Sequence, residues 1–439
     1  MRRAALRVGV AGVATAIASI SVAHAADKPT IDTGDTAWIL IATALVLMMN
    51  IPGLSLFYCG MVRKKNVLAT AVTAFAVAAL VTVLWFAVGY TLSYTDGGAM
   101  NGVLGSLSRA FGSGLQGSTH ALARTIPENV FLMYQATFAI ITPAIIAGAF
   151  AERMKFSAMM WFMALWLLLV YVPVTHWVWG GGFLGQMGVL DFAGGLVVHL
   201  NAGMAGLVCA LVLGRRHGYG HENMAPHNLV LTLIGTSLLW VGWFGFNAGS
   251  ALSSGELAGN AMLNTHISAS VAALVWMAIE WGARGKPSVL GILSGAVAGL
   301  GTITPAAGYV EPWAAMAIGA AAGAVCYWAS IVLKIRLGYD DTLDVFGVHG
   351  IGGILGTILV GVFATRAIND VNKGGAVGLI DGHAGQVLTQ IYGVLIVGAF
   401  CGAMTWVILK VVDVMVGLRV TKDEETEGLD TVLHGERVQ

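Results

Sequence analysis

The chain has 439 residues, of which 57% are apolar and 10% charged, and its formal net charge is zero. Ordinary globular proteins contain roughly 45–50% apolar and about 25% charged residues. A soluble domain of this size needs more charged side chains, and a nucleic-acid-binding protein needs a basic excess. The composition therefore excludes a soluble enzyme, a disordered chain and a nucleic acid as partner. It predicts a polytopic membrane protein that is not an enzyme.

The first segment has the pattern of a secretory signal. Arg2, Arg3 and Arg7 precede an apolar run over residues 8–22, and Ala23-His24-Ala25 then matches an A-x-A cleavage site. The run is too short to span a bilayer comfortably. We predict a cleavable signal peptide over residues 1–25, with an uncleaved first helix as the alternative. Export would place the new N-terminus outside the cytoplasm.

Eleven apolar stretches follow, each near the ~20 residues that a bilayer core requires. They cover residues 36–59, 67–94, 128–150, 156–178, 192–214, 228–249, 261–283, 288–305, 312–333, 345–365 and 387–417. Fifteen basic residues lie on the predicted inner side, and five on the outer side: Lys28, Arg109, Arg124, Arg366 and Lys373. This bias supports the orientation. We predict an all-α membrane protein with eleven transmembrane helices over residues 26–417, N-terminus outside and C-terminus inside.

The tail, residues 418–439, is the clearly hydrophilic segment of the chain. Its acidic residues are Asp423, Glu424, Glu425, Glu427, Asp430 and Glu436. Such a segment is either a solvated end or a docking surface for a cytoplasmic partner, and the pattern leaves both interpretations open.

Two histidines lie well inside predicted spans, where an ionisable side chain is costly and hence a candidate functional residue. His199 follows Asp191 into the fifth span, and His349 follows Asp344 into the tenth. The two spans enter the membrane from opposite sides, as an inverted five-plus-five repeat would require. Such repeats hold their site near the bilayer midplane. The alternative is a pair of unrelated packing residues.

Aromatic side chains and one hydroxyl form a second candidate group near the predicted outer ends. Tyr134 and Phe138 are spaced i,i+4 and share a face of the third span, as do Phe246 and Ser250 on the sixth. Trp179 ends the fourth span. Aromatic faces with a hydroxyl acceptor suit a small cation. Aromatics are also common as anchors at the headgroup level, so periodicity leaves both interpretations open.

Four motifs form a specific combination. They are the run Trp243–Ser250 (WFGFNAGS), Asp191–Gly195 with Val198-His199, the run Asp344–Gly350 (DVFGVHG), and Glu427–Asp430 with His434-Gly435-Glu436 in the tail. Together they resemble the ammonium transporter (Amt/Mep/Rh) family, bacterial Amt type, over nearly the whole mature chain. The resemblance implies eleven helices, a homotrimer and one conduction path through each subunit.

The resemblance also implies an outer ammonium-binding site. Phe138, Trp179 and Ser250 occupy its positions in this sequence. Tyr134 would complete it, at a position where familiar bacterial members often carry Phe, so its hydroxyl would alter the site.

Below that site the resemblance implies a gate and a lumen. Phe138 and Phe246 would stack as the gate, and His199 and His349 would line a hydrophobic lumen. The carboxylates that precede the histidines would support the site structurally: Asp191 and Asp344.

The implied function is transport of ammonium or ammonia across the bacterial cytoplasmic (inner) membrane, in the service of nitrogen metabolism. An apolar lumen excludes a charged ion at a cost of several kcal/mol. Ammonium avoids that cost by losing a proton, for about 3 kcal/mol, and potassium has no such route. The expected partners are ammonium and ammonia (methylammonium being a further candidate), the homotrimer, membrane lipid, and a PII-class signal protein at the cytoplasmic tail.

We expect no cofactor and no bound metal, although alternatives exist. The four cysteines lie in apolar runs without CxxC spacing, which indicates packing residues rather than a disulfide or zinc site. The two span histidines could instead ligate a haem. A metal could bind the loop histidines: His217, His221 and His227. A sensor with the same fold is a third alternative, disfavoured because no sensory domain follows. The bacterial-type signal and tail disfavour an Rh-type gas channel.

Overall fold

The computed structural model describes residues 30–370 and 377–438. The predicted signal peptide, residues 1–25, lies outside the described residues. The described part is built from helices, as lipid requires, because each backbone N–H and C=O must find its partner without water. In these ranges, ten helices are long and apolar enough to cross a membrane, and one apolar helix is shorter.

The helices follow the predicted spans in order. They are α1 (Thr33–Met61), α2 (Lys64–Tyr94), α3 (Glu128–Phe150), α4 (Phe156–Gln186), α5 (Gly195–Leu213), α6 (Leu229–Gly249), α7 (Glu256–Arg284), the shorter α8 (Val289–Ile303), α9 (Pro312–Leu337), α10 (Phe346–Phe363) and α11 (Gly385–Val416). α4 is interrupted after Val178 and resumes at Phe183. The prediction of a multi-pass all-α membrane protein is confirmed. The count of eleven spans, the inverted repeat and the orientation stay predictions.

α5 and α10 touch backbone to backbone at the centre of the molecule. A Cβ atom added to Gly203 would lie 2.1 Å from the Cα atom of Gly350. One added to Gly353 would lie 2.6 Å from the backbone nitrogen of Leu200. Only glycine permits this approach, since real Cβ atoms do not come so close to backbone. The crossing therefore brings together the chain segments that carry His199 and His349.

The segment between α2 and α3 folds over one face of the bundle. The Arg109 guanidinium pairs with Glu128 at the start of α3, with Nε 3.0 Å from Oε1. The Tyr90 hydroxyl donates to the same oxygen at 2.9 Å. The backbone N–H of Asp32 donates to the Thr125 carbonyl at 2.8 Å. This face carries Trp179 and is the outer face in the predicted topology.

A cluster of buried charged residues lies at the opposite face, which is the inner face in the predicted topology. Oε2 of Glu152 lies 2.9 Å from Nε of Arg63 and 3.2 Å from a terminal nitrogen of Arg216. Arg216 also pairs with Asp340 at 2.9 Å. Burial alone would raise the pKa of Glu152, but the two guanidinium groups outweigh it and lower that pKa below its usual value. The cluster ties four inter-helix connections together, those before α2, α4, α6 and α10.

The tail is folded onto this inner face through two short helices, α12 (Lys422–Glu427) and α13 (Leu429–His434). The Asp430 carboxylate accepts the N–H of Ala69 at 2.8 Å, and Asn66 accepts the N–H of Leu429 at 2.9 Å. Glu425 and Asp430 are each only 2% exposed. Of the two interpretations of the sequence, a solvated end does not describe α12 and α13, which are docked against the start of α2.

Candidate functional site

An open depression of about 320 Å³ lies on the outer face. Phe138, Trp179 and Ser250 are all in its wall. The Phe138 and Trp179 rings meet edge to face, with centroids 6.0 Å apart and planes at 89°. The Trp179 indole N–H donates to the Asp191 carbonyl at 2.8 Å, which fixes the ring. Three residues predicted for the outer site are therefore together in one depression.

The Ser250 hydroxyl lies in the wall of this depression with its hydrogen already engaged. It donates to the Phe246 carbonyl of its own helix at 2.9 Å. A hydroxyl group has one hydrogen and two lone pairs, so its oxygen keeps acceptor capacity once the hydrogen is engaged. The depression thus combines aromatic faces with a hydroxyl acceptor, the combination that suits a small cation.

Tyr134, the fourth residue predicted for the outer site, lies directly behind Phe138 and Ser250. Its side chain is fully buried and is not in the wall of the outer depression. Its ring packs edge-on to Phe138 with centroids 5.1 Å apart, and its hydroxyl lies 2.9 and 3.0 Å from the carbonyls of Gly245 and Phe246. The hydroxyl also lies 3.4 Å from Ser250 Oγ. Tyr134 therefore stands behind the site, where it joins α3 to the end of α6.

Two phenylalanine rings form the floor of the depression. Phe138 and Phe246 have ring centroids 4.2 Å apart and planes at 32°, and each is 1% exposed. Phe138 belongs to the wall of the outer depression, whereas Phe246 belongs to the cavity below. The ring pair thus separates the two spaces, at the position predicted for the gate.

The cavity below the rings is narrow, with a volume of about 10 Å³, close to the space that one water-sized molecule needs, and its walls are almost entirely apolar. They are Met49, Leu54, Phe57, Ile141, Ile145, Val198, Leu239, Trp243, Phe246 and Val297, together with His199 and His349. A further cavity of about 10 Å³ lies on the inner side and shares Phe57, Val297 and His349 with it. The two cavities thus share a wall at His349.

The two histidines contact each other directly. Their rings are nearly parallel, 5.3 Å apart at an angle of 11°, and the two Nδ1 atoms are separated by 3.2 Å. Trp243 stacks on His199 at 5.4 Å, and its indole N–H is fixed by Thr304 at 2.9 Å. Among the described residues, Nε2 of His199 has no hydrogen-bond partner.

The Nδ1 contact constrains the protons of the pair. One Nδ1 must donate and the other accept. In two neutral imidazoles, the donating ring then has a bare Nε2, and the accepting ring has an Nε2–H. The pair therefore offers one free acceptor and one free donor, without any net charge.

Asp191 organises the start of α5. Oδ1 accepts the N–H groups of Gly194 and Gly195 at 2.8 and 2.6 Å, and Oδ2 accepts those of Leu196 and Val197 at 2.8 and 3.2 Å. Gly194 has φ +119°, a conformation that favours glycine. The first turn of α5, Gly195–Leu200, is a π-helical turn and carries His199. Wide turns of this kind are frequent at functional sites.

The corresponding carboxylate of α10 is Asp341, which the sequence reasoning missed. Its Oδ2 accepts the Phe346 N–H at 2.7 Å, where α10 begins with a π-helical turn that carries His349. Asp344, assigned this supporting role by sequence, instead pairs with Lys334 and lies in the wall of the inner cavity. Equal spacing was the available signal, since Asp341 precedes its histidine by the same eight positions as Asp191.

The alternative sites do not match the arrangement of the described residues. The direct Nδ1 contact leaves no space for a haem between the two imidazoles. His227 Nδ1 lies 3.0 Å from the Val62 carbonyl, and His217 is 3.9 Å from Glu222. In residues 30–370 and 377–438, no group of three or more His, Cys, Asp or Glu side chains is placed to hold a metal ion.

Fold and site together define a multi-pass membrane protein with polar groups buried along the centre of the helical bundle, an arrangement typical of transporters and channels. Comparison with known proteins makes the class specific. The chain belongs to the Ammonium Transporter Family, whose model matches residues 37–439. The family predicted from the motifs is thereby confirmed.

Individual relatives agree with this assignment. The ammonium transporter of Bacillus subtilis is 48% identical over 404 residues, covering 92% of this chain and 98% of the relative. That of Aquifex aeolicus is 49% identical over 430 residues, 98% of each chain. The crystal structure of Saccharomyces cerevisiae Mep2 has a TM-score of 0.84 at 35% identity and covers 90% of this chain and 89% of its own. A structure titled sensor Amt protein has a TM-score of 0.83 at 27% identity, over 91% and 98%.

Proposed function

We propose that this protein transports ammonium by recruiting the cation in the outer depression, removing its proton, and passing ammonia through the apolar cavity while the proton crosses along the histidine pair. The observation that carries this proposal is the order of the three parts. An aromatic depression with a hydroxyl acceptor is separated by Phe138 and Phe246 from an apolar cavity whose polar groups are two imidazoles.

The order matters because it discriminates between cations. Aromatic faces and a hydroxyl oxygen attract ammonium and potassium alike. The apolar cavity then imposes a desolvation cost of several kcal/mol on either ion. Ammonium alone can exchange that cost for the ~3 kcal/mol of deprotonation near neutral pH. The free donor and free acceptor of the histidine pair suit neutral ammonia, which both donates and accepts hydrogen bonds.

Movement of the ring pair is a part of this proposal. Phe138 and Phe246 are in contact, so ammonia passes only when one ring rotates about its χ angles. Phe138 borders the open outer depression, which gives its ring space into which it can turn. The rings thus admit a small neutral molecule briefly and keep water from forming a continuous column.

The test is the current of the full chain reconstituted in proteoliposomes on a supported membrane, after an ammonium pulse and then a potassium pulse. We expect a current with ammonium alone, lost in the His199→Ala and His349→Ala variants. His266→Ala is the matched control, because His266 is exposed on α7 and contacts Trp240 rather than the cavity. An equal potassium current would contradict the proposed discrimination.

Uptake without current by the intact protein would refute the movement of the proton with ammonia. Ammonia flux, followed by internal pH, would then separate neutral gas conduction from a sensor that carries no substrate. The sensor is the second candidate because one structural neighbour is titled a sensor.

The homotrimer, the inner-membrane location and a PII-class partner at the tail are proposed with this function, and they rest on the family. Deletion of the residues after Arg419 should abolish binding of a PII-class protein. Binding retained by the truncated chain would contradict that part.

A further inference from the structure

The tail and the loop between α5 and α6 line an open depression of about 390 Å³ on the inner face. Glu425 joins the two segments at its base. Its Oε1 accepts the backbone N–H of His217 at 2.6 Å, and its Oε2 pairs with the Arg419 guanidinium at 2.7 Å. Arg419 also donates to the carbonyls of Leu213 and Arg215, both at 2.8 Å. The depression is therefore part of the folded junction that holds the tail.

The wall of this depression is strongly basic. It contains four cationic side chains and one carboxylate: Arg215, Arg216, Arg419, Lys422 and Glu425. Tyr219 and His217 complete the polar part of the wall. Two of the cations are neutralised from behind, Arg216 by Glu152 and Asp340, and Arg419 by Glu425.

The other two cations have no carboxylate partner among the described residues. The Arg215 guanidinium donates from Nε to the Gly338 carbonyl at 2.7 Å and lies over the Tyr219 ring at 5.8 Å. Both contacts orient the group and leave its charge uncompensated. The ammonium group of Lys422, at the start of α12, makes no hydrogen bond or ion pair within the described ranges, and the residue is exposed. Two uncompensated positive charges thus face one depression from two different segments.

We propose that this depression binds a phosphoryl group between Arg215 on the loop and Lys422 on the tail. A phosphoryl monoester carries a charge near −2 at neutral pH, which matches the two uncompensated cations. The planar guanidinium suits two oxygens of such a group, and the lysine ammonium adds a point charge. A ligand with a single carboxylate group would leave one of these two positive charges without a counter-charge.

The consequence is a link between ligand and tail. The anion contacts the loop and α12 together, so it stabilises the docked tail over any state in which α12 has moved away. The same chemistry is offered by a free phosphate compound of the cytoplasm and by the headgroup of an anionic lipid. Both sources would place the phosphoryl group between the same two side chains.

The test uses the full chain in neutral detergent, titrated with inorganic pyrophosphate at constant ionic strength against sodium chloride, with the thermal unfolding midpoint as readout. We expect a saturable rise of the midpoint with pyrophosphate that chloride does not reproduce. The double variant Arg215→Gln/Lys422→Gln should weaken the apparent affinity by about tenfold or more, because two charged donors are lost. Lys286→Gln is the matched control, an exposed cation in the inner connection between α7 and α8.

A second arm distinguishes the sources. The same proteins are reconstituted in phosphatidylcholine vesicles with and without phosphatidic acid, and protease cleavage after Glu427 reports release of the tail. Protection that requires phosphatidic acid and the two cations identifies a lipid headgroup, whereas protection by pyrophosphate in neutral vesicles identifies a free ligand. Equal responses of the double variant, the control and the unaltered chain in both arms would overturn the proposal.

Discussion

The four hydrogen bonds of Asp191 lead to a quantitative prediction for the Asp191→Ala variant. A hydrogen bond to a charged acceptor contributes about 1.5–3 kcal/mol, so four such bonds contribute about 6–12 kcal/mol. Burial of the carboxylate, which is 5% exposed, costs several kcal/mol that the variant avoids. We therefore expect Asp191→Ala to reduce the free energy of unfolding by about 2–5 kcal/mol.

The assay is equilibrium unfolding of the reconstituted chain in mixed detergent micelles. Two variants serve as references. Asp341→Ala should cost less, because its carboxylate accepts one N–H, that of Phe346. Asp96→Ala should cost little, because Asp96 accepts one N–H in an exposed turn. An Asp191→Ala loss within about 0.5 kcal/mol of the Asp96→Ala loss would refute the reasoning, since surface substitutions have effects of that size.

Three further predictions concern packing, the outer site and pH. Gly203→Ala should destabilise the protein by about 1–3 kcal/mol or more, because the added methyl group meets Gly350. Gly398→Ala is the control and should have little effect, because no atom lies within 4 Å of the added methyl group. Thermal unfolding midpoints of the two variants test this difference. Tyr134→Phe should lose about 1 kcal/mol of stability and keep its ammonium current, because the hydroxyl group bonds to backbone outside the depression. Loss of the current would show instead that the Tyr134 hydroxyl belongs to the ammonium-binding site. The pKa of Glu152 is lowered in the folded state, so the stability that this carboxylate contributes is fully present above its ordinary pKa of 4.5. That contribution is lost as the pH falls through the lowered pKa. In the Glu152→Gln variant, the unfolding midpoint should therefore change less with pH in this acidic range.

The class of protein and the order of its spans could be predicted from the sequence. Long apolar runs with few charges form transmembrane helices, because a helix makes all its backbone hydrogen bonds within itself. The thickness of the bilayer then sets the length of each helix. The motifs around His199, Phe246 and His349 were sufficient to identify the family, since each is a local run of residues.

The relations between distant segments needed the tertiary structure. The 3.2 Å contact between His199 and His349, two residues 150 positions apart in the chain, depends on the crossing of α5 and α10. Tyr134 and Phe138 share a helix face by spacing, yet the neighbouring end of α6 covers the first and leaves the second in the wall of the depression. Spacing along one helix cannot specify which neighbouring helix covers each residue.

The partners of the acidic tail residues, and of the carboxylates that precede the histidines, also depend on the tertiary structure. By sequence, the tail was equally consistent with solvent or with docking, and Asp344 was assigned the supporting role in which the structure places Asp341. Packing decided both, because it buries Glu425 and Asp430 against the inner face and turns Asp344 toward Lys334. Local sequence determined which segments become helices in the membrane. The tertiary structure decided which polar groups meet, because a buried carboxylate takes the partner that the fold places within reach.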